Sequence, residues 1–354
     1  MNILLHVRAS GGGGAERVFA SLAVELARRG HGVTLAVDML DGPVPPPAGV
    51  DTVILGRNHA RAVRHLAALI RRGGYDVLAG AVSVSNVKLA LAKVLAASRT
   101  PLVVSFHGFE EYKTGRLSAL AYHGMPVLGL IASRIVCVSD ALVRGMVEIW
   151  KANPAKTVRI YNPVPLPGIH LSAGELAARS PVIGALGRLS PEKGMADLVQ
   201  AFARVTTPGA RLVIGGAGPE EARLKQLIAG LGLTGRVELL GEVAGPVAVF
   251  AAAKVAAVPS RTEAFGMAAV EALGYGLPVV ATDCDGLGEL LAGGYGTLVP
   301  IGDAEAMARA LDAALADPGD PGPRIAYAGR FSLAAGTDAW EALFAGLARP
   351  KMGG

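Results

Sequence analysis

Short runs of aliphatic and β-branched residues alternate with segments whose apolar positions recur at helical spacing along most of the chain. In the first half, residues 3–7, 33–37 and 102–106 read as buried strands, and 135–138 as another. Between the first two, Val18, Phe19, Leu22, Ala23 and Leu26 repeat every three or four positions, and Gly30 supplies a helix stop. In the second half, 182–186, 212–215, 237–240, 256–259 and 278–281 read as strands. Helical patterns over 195–205, 221–231, 267–273 and 304–316 separate them. Continuously apolar strands that alternate with helices predict an α/β protein of βαβ units, with parallel sheets covered on both faces.

A chain of 354 residues is long for one core and suits two domains. Asn162-Pro-Val-Pro-Leu-Pro-Gly168 cannot propagate helix or sheet and marks the boundary region. The expected division is a first domain over 1–165, a linker over 166–180 and a second domain over 181–330. After the Pro/Gly-rich stretch 317–323 comes a last helical pattern around Trp340, Leu343 and Phe344.

Composition narrows the classes. Hydrophobic residues make up 51% and aromatics 5%, which excludes disorder and suits helices packed closely on sheets. Cys137 and Cys284 are the only cysteines, too few for a disulfide framework or a cysteine zinc site. The chain opens directly on an apolar strand without a basic leader, and the longest apolar run, from Gly124 to Ser133, ends at Arg134. A cytoplasmic, non-spanning protein is expected. Residues 1–165 carry 19 Lys/Arg against 10 Asp/Glu (+9) and residues 166–354 carry 15 against 19 (−4), which sum to the formal +5. The excess gathers at Arg57, Arg61, Arg64, Arg71 and Arg72. Such a face fits an anionic membrane surface or a phosphorylated acceptor, or is a solvated helix face.

Several stretches could carry chemistry. Ala9-Ser-Gly-Gly-Gly-Gly14 follows the first strand and opens a helix, so backbone N–H groups there could approach a phosphate. The dinucleotide fingerprint fails, because counting from Gly11 its last glycine falls on Glu16, although Asp38 ends the second strand where a ribose-binding acid often sits. His107 follows a strand end, placed to contact a ligand or to cap the strand, and Glu110 and Glu111 beside it read as surface residues. Gly187-Arg-Leu-Ser-Pro-Glu-Lys-Gly194 holds two cations, Arg188 and Lys193, five residues apart on one loop, a spacing that could clamp a diphosphate. Glu263 lies on a loop after a strand, Phe265-Gly-Met267 enters a helix, and Glu271 sits just over one turn inside it.

Glu263 and Glu271, with seven residues between them in the context 259–283, resemble the E-x(7)-E motif of family 4 (group 1) retaining glycosyltransferases. Gly13-Gly-Ala-Glu-Arg17, Ser105-Phe-His107, Val136-Cys-Val-Ser139, Ile160-Tyr-Asn-Pro-Val164, 187–194, 212–219 and 237–241 agree with that family in order along almost the whole chain. The resemblance implies a GT-B fold: two Rossmann-like domains with a cleft between them and a C-terminal helix that crosses back to the first domain. It implies that Arg188 and Lys193 hold a donor diphosphate, that Gly13 and Gly14 approach it, and that Glu263 binds the transferred sugar. Phe265, Gly266 and Met267 would meet the phosphate through backbone, Glu271 the ribose and Val243 the base. His107 would contact the donor sugar, which makes His107 and Glu263 the catalytic pair.

The implied reaction is metal-independent retaining transfer of a hexose or N-acetylhexosamine from a nucleotide-sugar to a lipid-linked or glycan acceptor. It uses no cofactor, no metal and no nucleic acid, and belongs to cell-surface polysaccharide or glycolipid synthesis. The Tyr-Asn-Pro-Val hinge leans toward a UDP-sugar. Ala264 stands where the family usually has glycine, and Asp283-Cys-Asp285 matches a metal motif of the other glycosyltransferase fold. A GT-B-like sugar-nucleotide epimerase, a non-catalytic nucleotide-sugar-binding partner and an NAD-dependent oxidoreductase are the alternatives.

Overall fold

In the computed structural model, residues 1–9, 13–40 and 49–348 are described. The chain forms two compact units, one built from Met1–Pro163 with the C-terminal segment from Leu333, the other from Val164–Ser332.

The first unit is a seven-stranded parallel sheet. Its strands are β1 (Asn2–Ala9), β2 (Gly32–Met39), β3 (Asp51–Ile54), β4 (Val77–Ala81), β5 (Leu102–Phe106), β6 (Arg134–Cys137) and β7 (Thr157–Arg159). They lie in the order β3-β2-β1-β4-β5-β6-β7, so the winding direction reverses between β1 and β4. The helix Gly14–Arg28 buries Val18, Phe19, Leu22, Ala23 and Leu26, the stripe read from the sequence, and Gly30 takes φ +87° just beyond it. The last helix, Leu333–Leu347, packs on that helix, with the fully buried Trp340 edge-on to Phe19 at a centroid distance of 5.5 Å. Arg29 Nη1 donates to Asp338 and Glu341 at 2.5 and 2.9 Å, and His31 Nε2 lies 2.9 Å from Glu341 Oε1.

The second unit is a six-stranded parallel sheet of β8 (Val182–Leu186), β9 (Arg211–Gly215), β10 (Val237–Gly241), β11 (Val255–Val258), β12 (Val279–Thr282) and β13 (Thr297–Val299). The order is β10-β9-β8-β11-β12-β13, which reverses between β8 and β11. Its core joins inward residues of β8, β9 and β11 to the helices Met195–Phe202 and Ala304–Ala316. The stretch 166–180 is not a free tether. It carries a helical turn, Ala173–Ala177, held by a Ser172–Glu175 capping box, and Leu166 lies so close to Gly274 that a Cβ there would meet it at 2.8 Å.

Candidate functional site

In parallel sheets, ligands gather outside the carboxyl ends of the strands where the winding reverses. In the second unit that point lies above β8 and β11. The loop after β8 carries Arg188 and Lys193, and the loop after β11 carries Glu263. The two loops meet there: Lys193 Nζ donates to Glu263 Oε2 at 2.6 Å, and both side chains are mostly buried, at 28% and 17% exposure. Gly194 makes the approach feasible. It takes φ +65°, and a Cβ at that position would lie 2.0 Å from the Pro259 carbonyl oxygen. Gly216 plays the same part after β9, where a Cβ would stand 2.0 Å from the Gly187 carbonyl oxygen.

Arg188 is the more exposed cation. Its Nη2 donates to Glu192 Oε1 at 3.1 Å, and the Ser190 hydroxyl donates to the same oxygen at 2.6 Å. Burial pushes the Glu192 carboxyl up, but these bonds outweigh it and hold it below its ordinary value. Val243 packs at the end of β9, its Cγ2 3.3 Å from where a Gly215 Cβ would stand.

Beyond Glu263 the backbone is fixed from below. Gly286 N donates to the Glu263 carbonyl at 2.9 Å, and a Cβ on Gly286 would strike Ala264 and Glu263 backbone atoms at 2.5 Å. Ala264 and Phe265 are buried, with Phe265 edge-on to Phe331, so near a ligand Phe265 has only backbone to offer. Gly266, at φ +100°, begins the helix Met267–Gly274, and no side chain caps it. Glu271 is half-buried on that helix, flanked by the buried Val270 and Ala272. One segment thus carries every second-unit residue that the E-x(7)-E stretch singled out.

In the first unit His107 follows β5. Its Nε2 lies 2.9 Å from the Ser105 hydroxyl and its Nδ1 3.1 Å from Asn162 Oδ1, while Phe19 meets the ring edge-on at 6.0 Å. Both ring nitrogens therefore have protein partners. Burial lowers the imidazole to about 4 despite the Asn162 bond, so the ring is neutral at ordinary pH.

Glu111 is not the surface residue its sequence context implies. Its carboxylate accepts from the His107 N–H and the Ser83 N–H, both at 2.8 Å, and so ties the His107 loop to the start of the helix Ser83–Leu95. Burial pushes its carboxyl up. The neighbouring Glu110 is exposed and ion-paired with Lys113.

Gly13 and Gly14 stand at the start of the helix Gly14–Arg28, whereas Ser10, Gly11 and Gly12 of the same loop lie outside the described residues. The Glu16 carboxylate folds back so closely that a Cβ on Gly13 would lie 2.2 Å from Oε2.

Asp38 is not available to a ribose. It is 3% exposed and accepts from Lys88 Nζ at 2.5 Å, with His6 Nε2 at 3.4 Å on its other oxygen. His6 and Lys88 are themselves buried. The group is a sealed ionic cluster binding β1, β2 and the helix Ser83–Leu95, so Asp38 cannot serve as the ribose-binding acid of a dinucleotide site. Arg57 stands just before the helix His59–Arg72, and Arg61, Arg64, Arg71 and Arg72 lie on it; all five are exposed. Among the described residues no helix is long and apolar enough to cross a membrane, and no group of three or more His, Cys, Asp or Glu side chains could hold a metal ion.

Known proteins agree with this architecture. Residues 172–330 match the family Glycosyl transferases group 1, and residues 12–166 match Glycosyltransferase Family 4. The chain belongs to the family 4, group 1 glycosyltransferases. It is 35% identical over 175 residues to the lipopolysaccharide core biosynthesis glycosyltransferase LpsE of Rhizobium meliloti, covering 48% of this chain and 51% of that protein. It is 35% identical over 213 residues to a D-inositol 3-phosphate glycosyltransferase of Stackebrandtia nassauensis, covering 52% and 48%. The chain thus spans about half the length of these curated relatives. The crystal structure of HepE from Anabaena in complex with UDP and glucose is similar with a TM-score of 0.85 at 23% identity, covering 98% of this chain and all of that one. That likeness establishes the GT-B fold of two Rossmann-like domains.

Proposed function

We propose that this protein transfers a hexose or N-acetylhexosamine from a nucleotide-sugar, with UDP as the nucleotide, to a lipid-linked or glycan acceptor, with retention at the anomeric carbon and without a metal. The observation that carries the reading is the Lys193–Glu263 pair above β8 and β11. A cation suited to a diphosphate and a carboxylate suited to sugar hydroxyls sit side by side, the arrangement a sugar diphosphate needs. The uncapped start of the helix Met267–Gly274 adds a favourable dipole for the phosphate, and Glu271 on the same helix lies within one element of it for the ribose. Arg188 serves as the second phosphate cation and Val243 lies toward the base.

In the reaction we propose, the acceptor hydroxyl oxygen bonds to the anomeric carbon on the face from which the leaving group departs. The bond from that carbon to the phosphate oxygen breaks, and the acceptor proton passes to the departing phosphate. Lys193 and Arg188 stabilise the charge that develops on that phosphate, and Glu263 orients the sugar. A neutral His107 contributes a hydrogen bond to the sugar, exchanged from Ser105 or Asn162, and not a charge. The exposed arginines of the first unit favour an anionic membrane surface or a phosphorylated acceptor.

The HepE structure was solved with UDP and glucose, and LpsE is named for lipopolysaccharide core synthesis; these relatives support a UDP donor and a cell-surface product. A thermal-shift screen over UDP-, GDP- and ADP-sugars tests the donor, since a bound donor raises the melting temperature by mass action. Stabilisation by UDP-sugars, and transfer that survives EDTA, are expected. No stabilisation by any nucleotide-sugar, or a metal-restored loss of transfer in EDTA, would overturn the reading.

A further inference from the structure

The first unit contains a cavity of about 250 Å³ whose lining includes neither His107 nor any residue of the Lys193–Glu263 site. Phe109, Tyr112, Tyr122, Met146, Ile149 and Trp150 line it. Three of the rings brace one another, with Tyr112 and Tyr122 5.1 and 4.9 Å from Trp150 between centroids. The Tyr122 hydroxyl already donates to the Gly108 carbonyl at 2.7 Å, so its hydrogen is committed to the wall. Among the described residues Glu110 is the only charged lining group, and it is paired with Lys113.

These walls select their occupant. A phosphate or carboxylate would meet a carboxylate and no cation in the lining. A polyhydroxylated ring would find little beyond the Tyr112 hydroxyl and the Glu110 carboxylate as partners there, and would give up its other hydrogen bonds to water against the remaining aromatic and aliphatic walls. The volume is at the small end for ligand sites and holds one ring or a short chain. Position fixes the rest. Phe109 and Glu110 lie two and three residues past His107, and Tyr122 is bonded to the same loop at Gly108.

We propose that this cavity binds the apolar, uncharged aglycone of the acceptor, an alkyl or aryl group carried by the sugar that is glycosylated; this rests on the transferase reading. The acceptor is then a glycolipid-like or aryl glycoside, unlike a small anionic polyol.

Trp150 offers a direct readout, because it lines the cavity while Trp340 is buried elsewhere in the core. The probes are octyl β-D-glucopyranoside below its micellar concentration and methyl β-D-glucopyranoside, titrated against tryptophan emission without donor. Each methylene buried is worth about fourfold in affinity. Burial of three predicts octyl binding about sixtyfold tighter than methyl, and saturable. Gly145→Leu projects a side chain into the cavity from a position where a Cβ meets only Phe109, at 3.9 Å. It should weaken octyl binding at least about tenfold with UDP binding unchanged.

Ile149→Glu, at a position 68% exposed and thus tolerant for folding, should do the same by placing a charge at the rim. Octyl and methyl glucosides binding within threefold of each other, or octyl binding unaffected in both variants, would overturn the proposal. Failure of the wild-type protein to bind UDP counts instead against the transferase reading. The two results are read from separate titrations.

Discussion

Glu263→Ala separates two roles that one carboxylate could have. Glu263 accepts from Lys193 at 2.6 Å and lies 3.4 Å from the Ser260 hydroxyl. Removing it leaves Lys193, 28% exposed, without that partner. The pair lies between an exposed ion pair, worth about 0.5 kcal/mol, and a buried one, whose rupture costs about 3–5 kcal/mol. A stability loss of about 1–2 kcal/mol follows. If Glu263 also binds sugar hydroxyls, the transition state loses a further contact of about 3 kcal/mol, or about a hundredfold in kcat. Binding of bare UDP should move the other way. UDP has no sugar to lose, and Lys193 no longer shares its charge, so the affinity should hold or improve by about two- to fivefold. Calorimetric titration with UDP, together with UDP release under turnover, measures both. A UDP affinity weakened more than about fivefold with transfer retained would show Glu263 to be only a prop for Lys193, and the assignment to the sugar would be wrong.

Three further outcomes follow from the geometry. Gly194→Ala forces a Cβ to within 2.0 Å of the Pro259 carbonyl at φ +65°, so the two loops must part; UDP affinity should fall at least about tenfold by titration while far-UV dichroism is retained. Lys88→Met leaves Asp38 buried without its cation and should cost about 3–5 kcal/mol at pH 8, read from urea unfolding by tryptophan emission. Both tryptophans lie in the first unit, and Asp38→Asn/Lys88→Met should recover most of the loss. His107, held at about 4 in the folded protein against about 6.5 unfolded, binds its proton first in the unfolded chain. Its share of stability is complete above pH 6.5 and is lost as pH falls toward 4, by about 3 kcal/mol; His107→Asn should flatten that part of the urea midpoint–pH curve.

The strands legible in the sequence were those with dense aliphatic runs. β3, β7 and β13 escape because they are short edge strands with little to bury, and four or three residues cannot show a period. β4 escapes for another reason. It is central, but its Val-Leu-Ala-Gly-Ala sequence is small because Gly80 must admit Asn86, whose Oδ1 would lie 2.7 Å from a Cβ. Two polar residues in apolar runs, His6 in the first strand and Lys88 between Val87 and Leu89, were the available signals for the buried cluster with Asp38. Glu111 had no such signal, since its two partners are backbone N–H groups, which no side-chain pattern marks, and one of them, on Ser83, is 28 residues away. Lys193 and Glu263 were each legible in a local motif. Their contact depends on β8 lying beside β11, which is a property of strand order and not of either loop.

That contact bears on how a donor would be chosen. Lys193 is paired with Glu263 and Arg188 with Glu192, so both proposed phosphate cations already have carboxylate partners. Two unpaired cations would attract any polyanion in the cell at close range. Paired ones must exchange a carboxylate for a phosphate, and the gain from exchange between similar anions is small. A sugar nucleotide improves the exchange because it brings phosphate for Lys193 and hydroxyl donors for the carboxylate Lys193 gives up. Inorganic phosphate or pyrophosphate brings only the first. On the proposed donor reading, discrimination in favour of the intact donor would arise from the resting ion pair itself, before any contact with base or ribose is counted.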